Sequence, residues 1–229
     1  MSSRIFDGFG RPSPWAIERF GPRLATELWT RVPLAVTAAV ARALETHQAS
    51  RMQTAHAFGS AWSVHFEELV NHLRLIDGAR LVRPPRAFYQ LVVVGGHVLY
   101  PWRYAGERGT SIRSRLGVRP IGVLGRELLS RYGRPPHWRE EPLPMFAGGD
   151  EPADARERRD AAMVSSILDE LEPRPRVLVV AYASNTIEGL IHLGWGDAAP
   201  ADGGGLHWHH CEDLPVPPAR VPRPRTGAD

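Results

Sequence analysis

His207-Trp208-His209-His210-Cys211-Glu212-Asp213 places three imidazoles, a thiol and two carboxylates in seven consecutive positions. These groups are the usual ligands of zinc and iron. On a strand, alternate residues share a face. His207, His209, Cys211 and Asp213 are therefore expected on one side, and Trp208, His210 and Glu212 on the other. Neighbours on one face lie roughly 6.5–7 Å apart, so two of them reach one metal but four do not. A complete site needs a ligand from elsewhere, such as His192 on the preceding strand. No standard zinc spacing is present. His207, His209 and Cys211 are the candidate ligands for a transition metal such as zinc. In a metal-dependent hydrolase, Glu212 or Glu188 would serve as general base.

A second cluster lies on one helical face, where His65, Glu68 and His72 follow at i, i+3 and i+7. This is not the HExxH pattern, which needs its histidines at i and i+4. A solvated helix face with an i,i+4 Glu–His pair is the favoured account. Nucleophilic catalysis has thin support. Cys211 and His210 are adjacent, so on a strand their side chains point apart, and no GxSxG elbow exists. Ser184-Asn185 ends an apolar run and reads as a turn.

The third candidate is a basic loop. Between positions 103 and 119 lie Arg103, Arg108, Arg113, Arg115 and Arg119 against the single Glu107, while the whole chain carries a net charge of only +3. Gly106, Gly109, Thr110 and Ser111 add backbone and hydroxyl donors. Tyr100, Trp102 and Tyr104 precede the loop. Charge for phosphate and rings for bases are what single-stranded nucleic acid requires. The five arginines are thus the expected anion-binding residues.

The elements that must position these groups read as follows. Ser13-Pro14 is an N-cap and N1 pair. Gly21-Pro22 is expected to bend the chain, and Pro33 to begin a second helix running to about Gln48. Trp62, Phe66, Leu69, Val70, Leu73 and Ile76 form an apolar stripe of 3.6-residue period. A hairpin follows, with Gly95-Gly96 as its two-residue turn. That turn places Val94 opposite His97. It puts Tyr89, Leu91, Val93, Val98, Tyr100 and Trp102 on one face, expected to cover the preceding helix. Pro101 cannot donate to a ladder, so its strand is expected to be an edge near its end. A short helix is predicted over 121–132, a surface loop over 133–152, and a helix starting near Asp154 with Val164, Ile167, Leu168 and Leu171 on one side. Val177–Ala183 is continuously apolar, as a central strand is. Strands are also predicted over 189–195 and 206–212.

Composition excludes several classes. All 28 basic residues are arginine. Without lysine there is no Schiff-base chemistry, no Walker loop and no kinase lysine. The helix-then-hairpin order fits the outline of restriction-endonuclease-like nucleases, but the hairpin carries no Asp, Glu or Lys for their metal core. The single cysteine, Cys211, precludes an internal disulfide and fits a reducing, cytoplasmic setting. The longest mostly apolar run, Val32 to Leu44, is too short and too polar for a bilayer.

The expectation is an α+β protein: a helical N-terminal part packed on a mixed or antiparallel sheet of about five strands that includes the Gly95-Gly96 hairpin. Residues 1–214 would form one domain and 215–229 a flexible Pro/Arg-rich tail, itself a ligand candidate for a groove in another protein. The functional expectation is a regulatory or binding module for an anionic partner, nucleic acid or an acidic protein, through the arginine loop. The alternatives are the metal-dependent hydrolase and a protein-interaction domain.

Overall fold

In a computed structural model, the chain is described over residues 10–60, 62–84, 87–114, 117–135, 152–201 and 204–217. Its elements are α1 (Pro14–Ser50), α2 (His56–Ser60), α3 (Trp62–Leu73), β1 (Arg80–Val82), β2 (Leu91–Val94), β3 (His97–Ala105), α4 (Val123–Tyr132), α5 (Pro152–Asp169), β4 (Arg176–Asn185), β5 (Gly189–Pro200) and β6 (Leu206–Asp213). The fold is α+β. Six strands form one mixed sheet in sequence order, and β1 is the strand beyond the expected five. Every neighbouring pair is antiparallel except β3 and β4, which are parallel. A parallel pair cannot be closed by a tight turn and needs a long crossover. Here the crossover carries α4 and α5, which cover one face of the sheet, while α1 and α3 cover the other.

The N-terminal helix starts where the sequence predicts. Ser13 is extended, and its hydroxyl accepts from the Ala16 amide at 3.0 Å, with Pro14 next in line. The bend falls at Gly21, whose φ of 74° and ψ of 159° break the helical path. The expected new start at Pro33 does not occur, and α1 runs through it to Ser50. A proline inside a helix forfeits one hydrogen bond. The buried row of Val32, Ala35, Val36, Ala39 and Val40 holds the helix continuous against the sheet.

Gly95 and Gly96 have φ of 57° and 74°, the positive values that a type I′ hairpin needs. The register pairs Val94 with His97, as expected. The destination of the hairpin's aromatic face differs from the expectation. Leu91, Val93, Val98, Tyr100 and Trp102 pack with Leu128 and Leu129 of α4 and Val164 and Leu168 of α5. Leu69, Val70, Leu73 and Ile76 meet the opposite face of the sheet, with Val92, Val94 and Leu99. Phe66 alone of the α3 stripe joins the first group, its ring near Tyr89 and Tyr100. The sequence shows which residues share a face, but the later helices decide which layer claims it. Pro101 sits on an inner strand. β2 pairs with β3 only at His97 and Val98, so around Pro101 the one hydrogen-bonded neighbour is β4.

Val177–Ala183 is central, and β4 is buried from Val177 through Ser184. α5 begins at Pro152 rather than at Asp154; Val164, Ile167 and Leu168 lie on one side of it as predicted, while Leu171 falls beyond its end at Asp169 and packs against the same cluster. On the α1 face, Trp195 is fully buried among Trp15, Phe20 and Trp29. Its indole N–H donates to Glu212 Oε1 at 2.8 Å. No described helix is long and apolar enough to cross a membrane. Most of the predicted 133–152 loop, Arg115 and the tail beyond 217 lie outside the described residues.

Gly196 shows how tightly β5 and β6 meet. A Cβ there would stand 1.9 Å from the carbonyl oxygen of His210. Because the obstacle is backbone, side-chain repacking cannot relieve it. Gly196→Ala should therefore cost at least about 2 kcal/mol in urea unfolding. A change within about 0.5 kcal/mol would show that the two strands separate more readily than this register allows.

Candidate functional site

The arginine loop leaves the carboxyl end of β3 and is fastened along its length. The Arg119 amide donates to the Tyr104 carbonyl at 2.8 Å, and the Ile121 amide to the Gly204 carbonyl at 2.7 Å. From β6, the Trp208 indole N–H donates to the Ile112 carbonyl at 2.8 Å. The loop answers with Arg113 Nη2 on the Cys211 carbonyl at 2.6 Å. A loop held this way loses little freedom on binding.

Its described arginines have different roles. Arg103 is half-buried, donating through Nε and Nη2 to the Ser184 carbonyl and lying 4.7 Å over the Phe58 ring. Arg108 is exposed and ion-paired with Glu188, whose pKa is lowered first by that hydrogen bond. Arg113 and Arg119 are exposed. Gly106 brings Arg103 and Arg119 together: a Cβ there would lie 3.6 Å from Arg103 Nη2 and 3.7 Å from Arg119 Nη2. Burial, and then the charge of Arg119, lower the pKa of Arg103. Among the described residues, no carboxylate is within ion-pairing distance of either guanidinium.

At the same end of the sheet opens a cleft of about 540 Å³ lined by Tyr104, Ser111, Arg113, His192 and Asp213 among others. A hydrogen-bonded chain crosses it. Tyr104 Oη lies 2.8 Å from His192 Nδ1, and His192 Nε2 lies 3.0 Å from Asp213 Oδ1. An Asp213 carboxylate takes the Nε2 proton, which leaves Nδ1 to accept from the Tyr104 hydroxyl. The arrangement orients the imidazole between a phenol donor and a carboxylate acceptor. Burial pushes the Tyr104 pKa up to about 12, so the phenol stays protonated at neutral pH. His192 entered the sequence reading only as an extra metal ligand. Its partners are a tyrosine two strands away and the last residue of β6, which no local spacing reveals.

The β6 histidines do not gather as simple alternation predicts. A register shift between Asp197 and Ala198 pairs Asp197 with His210 but Ala198 with Trp208. His209 becomes the extra residue of a bulge, which reverses the facing beyond it. Cys211 and Trp208 thus share the α4 side. His210 stacks on Trp15 of α1 at 4.1 Å, and His207 falls on that same α1 side. His209 Nε2 lies 3.2 Å from the Arg134 carbonyl. Burial pushes the Cys211 thiol up to about 11, away from the thiolate that a metal ligand or nucleophile needs. Both general-base candidates are engaged, Glu212 by Trp195 and Glu188 by Arg108.

On α3, His65 stacks on Tyr182 at 4.3 Å. Glu68 is ion-paired with Arg42, and its other oxygen is 3.8 Å from His72. Tyr182 is on β4, and β5 stands between β4 and β6, so the two histidine groups do not converge. Among the described residues, no three His, Cys, Asp or Glu side chains are placed to hold a metal ion. Ser184-Asn185 is turn chemistry: Asn185 Oδ1 accepts from the amides of Ile187 and Glu188.

A second polar centre, unseen in the sequence, lies at the other end of the sheet. Asp197 of β5, 4% exposed, takes both arms of the Arg19 guanidinium from α1. Arg19 Nη1 is also 3.1 Å from His97 Nε2, and His97 Nδ1 is 2.8 Å from the Gly95 carbonyl. The Gly95 contact holds the proton on Nδ1, so Nε2 accepts from Arg19. Desolvation lowers the Arg19 pKa and raises that of Asp197, so burial outweighs their attraction. Burial likewise lowers His97 to about 4, with Arg19 and Arg176 adding to the shift.

The chain matches no protein-family model, no curated protein and no solved structure. The class is therefore that of an α+β protein with a mixed six-stranded sheet, and function rests on the site alone.

His97 gives this centre a pH signature. Its folded pKa of about 4 lies below the unfolded value, so the unfolded chain binds the proton more readily. The stability it contributes is complete above pH ~6.5 and is lost as pH falls through 4, roughly 3–3.5 kcal/mol in all. Urea unfolding of wild type and His97→Gln between pH 7.5 and 4.5 reads this directly. The variant should show the shallower slope, whereas parallel slopes would mean that His97 is not held neutral.

Proposed function

We propose that the protein is a binding module for an anionic partner, and that this partner is nucleic acid held through its phosphates by the arginine loop. The supporting observation is the Arg103–Arg119 pair over Gly106, two guanidinium groups close together with, among the described residues, no carboxylate within ion-pairing distance. Like charges held together gain most from an anion placed between them, and guanidinium forks match phosphate oxygens. Arg108 and Arg113, exposed on the same loop, line a cleft at the same end of the sheet. The ion pair of Arg108 is exposed and yields readily to a competing phosphate.

The aromatics before the loop do not take part. Tyr100, Trp102 and Tyr104 are 8%, 5% and 1% exposed and belong to the core. Recognition by this face is therefore of backbone charge, with little base preference and a strong dependence on salt.

Binding of labelled single- and double-stranded oligonucleotides across a salt series tests the reading. A log–log slope for roughly three to five neutralised phosphates is expected. Arg113→Glu with Arg119→Glu should weaken binding more than about tenfold at low salt, while the melting temperature stays within a few degrees. Absence of wild-type binding at low salt, or unchanged affinity in the variant, would overturn it.

A further inference from the structure

We propose that a second cleft, at the opposite end of the sheet from the arginine loop, binds a small polyvalent oxyanion of the phosphate class through Arg134 and Arg176, with Arg174 as a third donor. The cleft has a volume of about 500 Å³ and lies between the start of α1, the Gly95-Gly96 turn and the entry to β4. Four arginines line it, Arg19, Arg134, Arg174 and Arg176, against one carboxylate, Glu18, which is exposed.

The occupancy of each cation decides what remains for a ligand. Arg19 is taken up by Asp197 and His97 and forms a fixed floor. Arg174 lies on the Tyr132 ring and reaches Asp169 with Nη2 at 3.1 Å, which leaves part of its fork open. Arg134 and Arg176 are exposed, and among the described residues neither has a carboxylate within ion-pairing distance. The nearest buried negative charge, Asp197, is already neutralised by Arg19 and feels both Arg134 and Arg176 at longer range. The concavity therefore presents two uncompensated guanidinium groups and part of a third.

The site is built rather than incidental. The Arg176 amide donates to the Gly96 carbonyl at 2.9 Å, which fixes where β4 enters relative to the turn. Beneath the mouth, the buried Arg19–Asp197–His97 network ties α1, β3 and β5 together. His97 stays neutral at physiological pH, so it adds no charge of its own. The cleft's one aromatic wall, Trp15, is already engaged by His210 at 4.1 Å and by Arg19 at 4.7 Å. It serves as a wall and not as a platform for a base. Several guanidinium forks without a stacking surface select charge density, as in phosphate or pyrophosphate, over a nucleobase.

This inference does not rest on the arginine-loop reading, because the two sites share no residue. Isothermal titration of the full chain with pyrophosphate, at ionic strength held constant with sodium chloride, tests it. Saturable binding and a raised melting temperature are expected for the wild type. Arg134→Gln with Arg176→Gln should lose at least about tenfold in affinity when both titrations are run in an Arg119→Glu background, which removes the loop's own anion site. Should the double variant lose its native circular dichroism, Arg134→Gln alone carries the comparison, with a loss of at least about threefold expected. No wild-type binding, equal binding by wild type and the arginine-to-glutamine variants, or equal stabilisation by chloride at the same ionic strength would each overturn the proposal. Complete loss of binding in Arg119→Glu, with Arg134 and Arg176 intact, would overturn it while leaving the loop reading intact.

Discussion

One parallel strand pair governs the placement of everything else. β3 and β4 run side by side in the same direction, in a sheet whose other pairs are all antiparallel. Their connection must travel from the carboxyl end of β3 back to the amino end of β4, and it does so over one face. Two consequences follow. That face becomes the seat of α4 and α5 and claims the aromatic side of the hairpin. The crossover also leaves and re-enters at opposite ends of the sheet, each time through an arginine-rich stretch. The exit carries Arg103, Arg108, Arg113 and Arg119; the return carries Arg174 and Arg176.

Charge is handled alike at both ends. Where a carboxylate is available, an arginine takes it: Asp197 holds Arg19, and Glu188 holds Arg108. Beside each such pair stand guanidinium groups with no carboxylate in ion-pairing distance among the described residues, Arg103 and Arg119 over Gly106, and Arg134 and Arg176 beside the hairpin turn. A lysine-free chain must use arginine for every cation, so arginine count alone says little about binding. What distinguishes these groups is position: they are concentrated where the fold is concave or the loop is fastened, and their donors are not all used internally. The Tyr104–His192–Asp213 chain lies at the same end of the sheet as the first of these places.

Much of the scaffold was legible because it rests on short-range rules. The Ser13-Pro14 start, the bend at Gly21, the Gly95-Gly96 register and the central strand after Arg176 follow from capping, turn and burial preferences. Pro33 misled because local helix chemistry forbids what the packing of α1 enforces. β1 escaped because three residues carry no pattern, and only pairing with β2 makes them a strand. The candidate site was legible as a basic loop but not as a geometry. That Arg103 turns inward to the Ser184 carbonyl depends on a contact 81 positions away. The bulge at His209 undid the alternation on which the His207, His209 and Cys211 grouping rested, and a single inserted residue leaves no mark in the sequence. The Arg19–Asp197–His97 network and the cleft above it join five distant parts of the chain.

The most direct measurement is a crystal structure of the protein soaked in selenate, with anomalous scattering used to locate the anion. The account predicts a peak over Gly106, between the Arg103 and Arg119 guanidinium groups. Selenate bound elsewhere on the surface, with none over Gly106 and a carboxylate reaching Arg119 instead, would contradict the claim that this pair is an anion site.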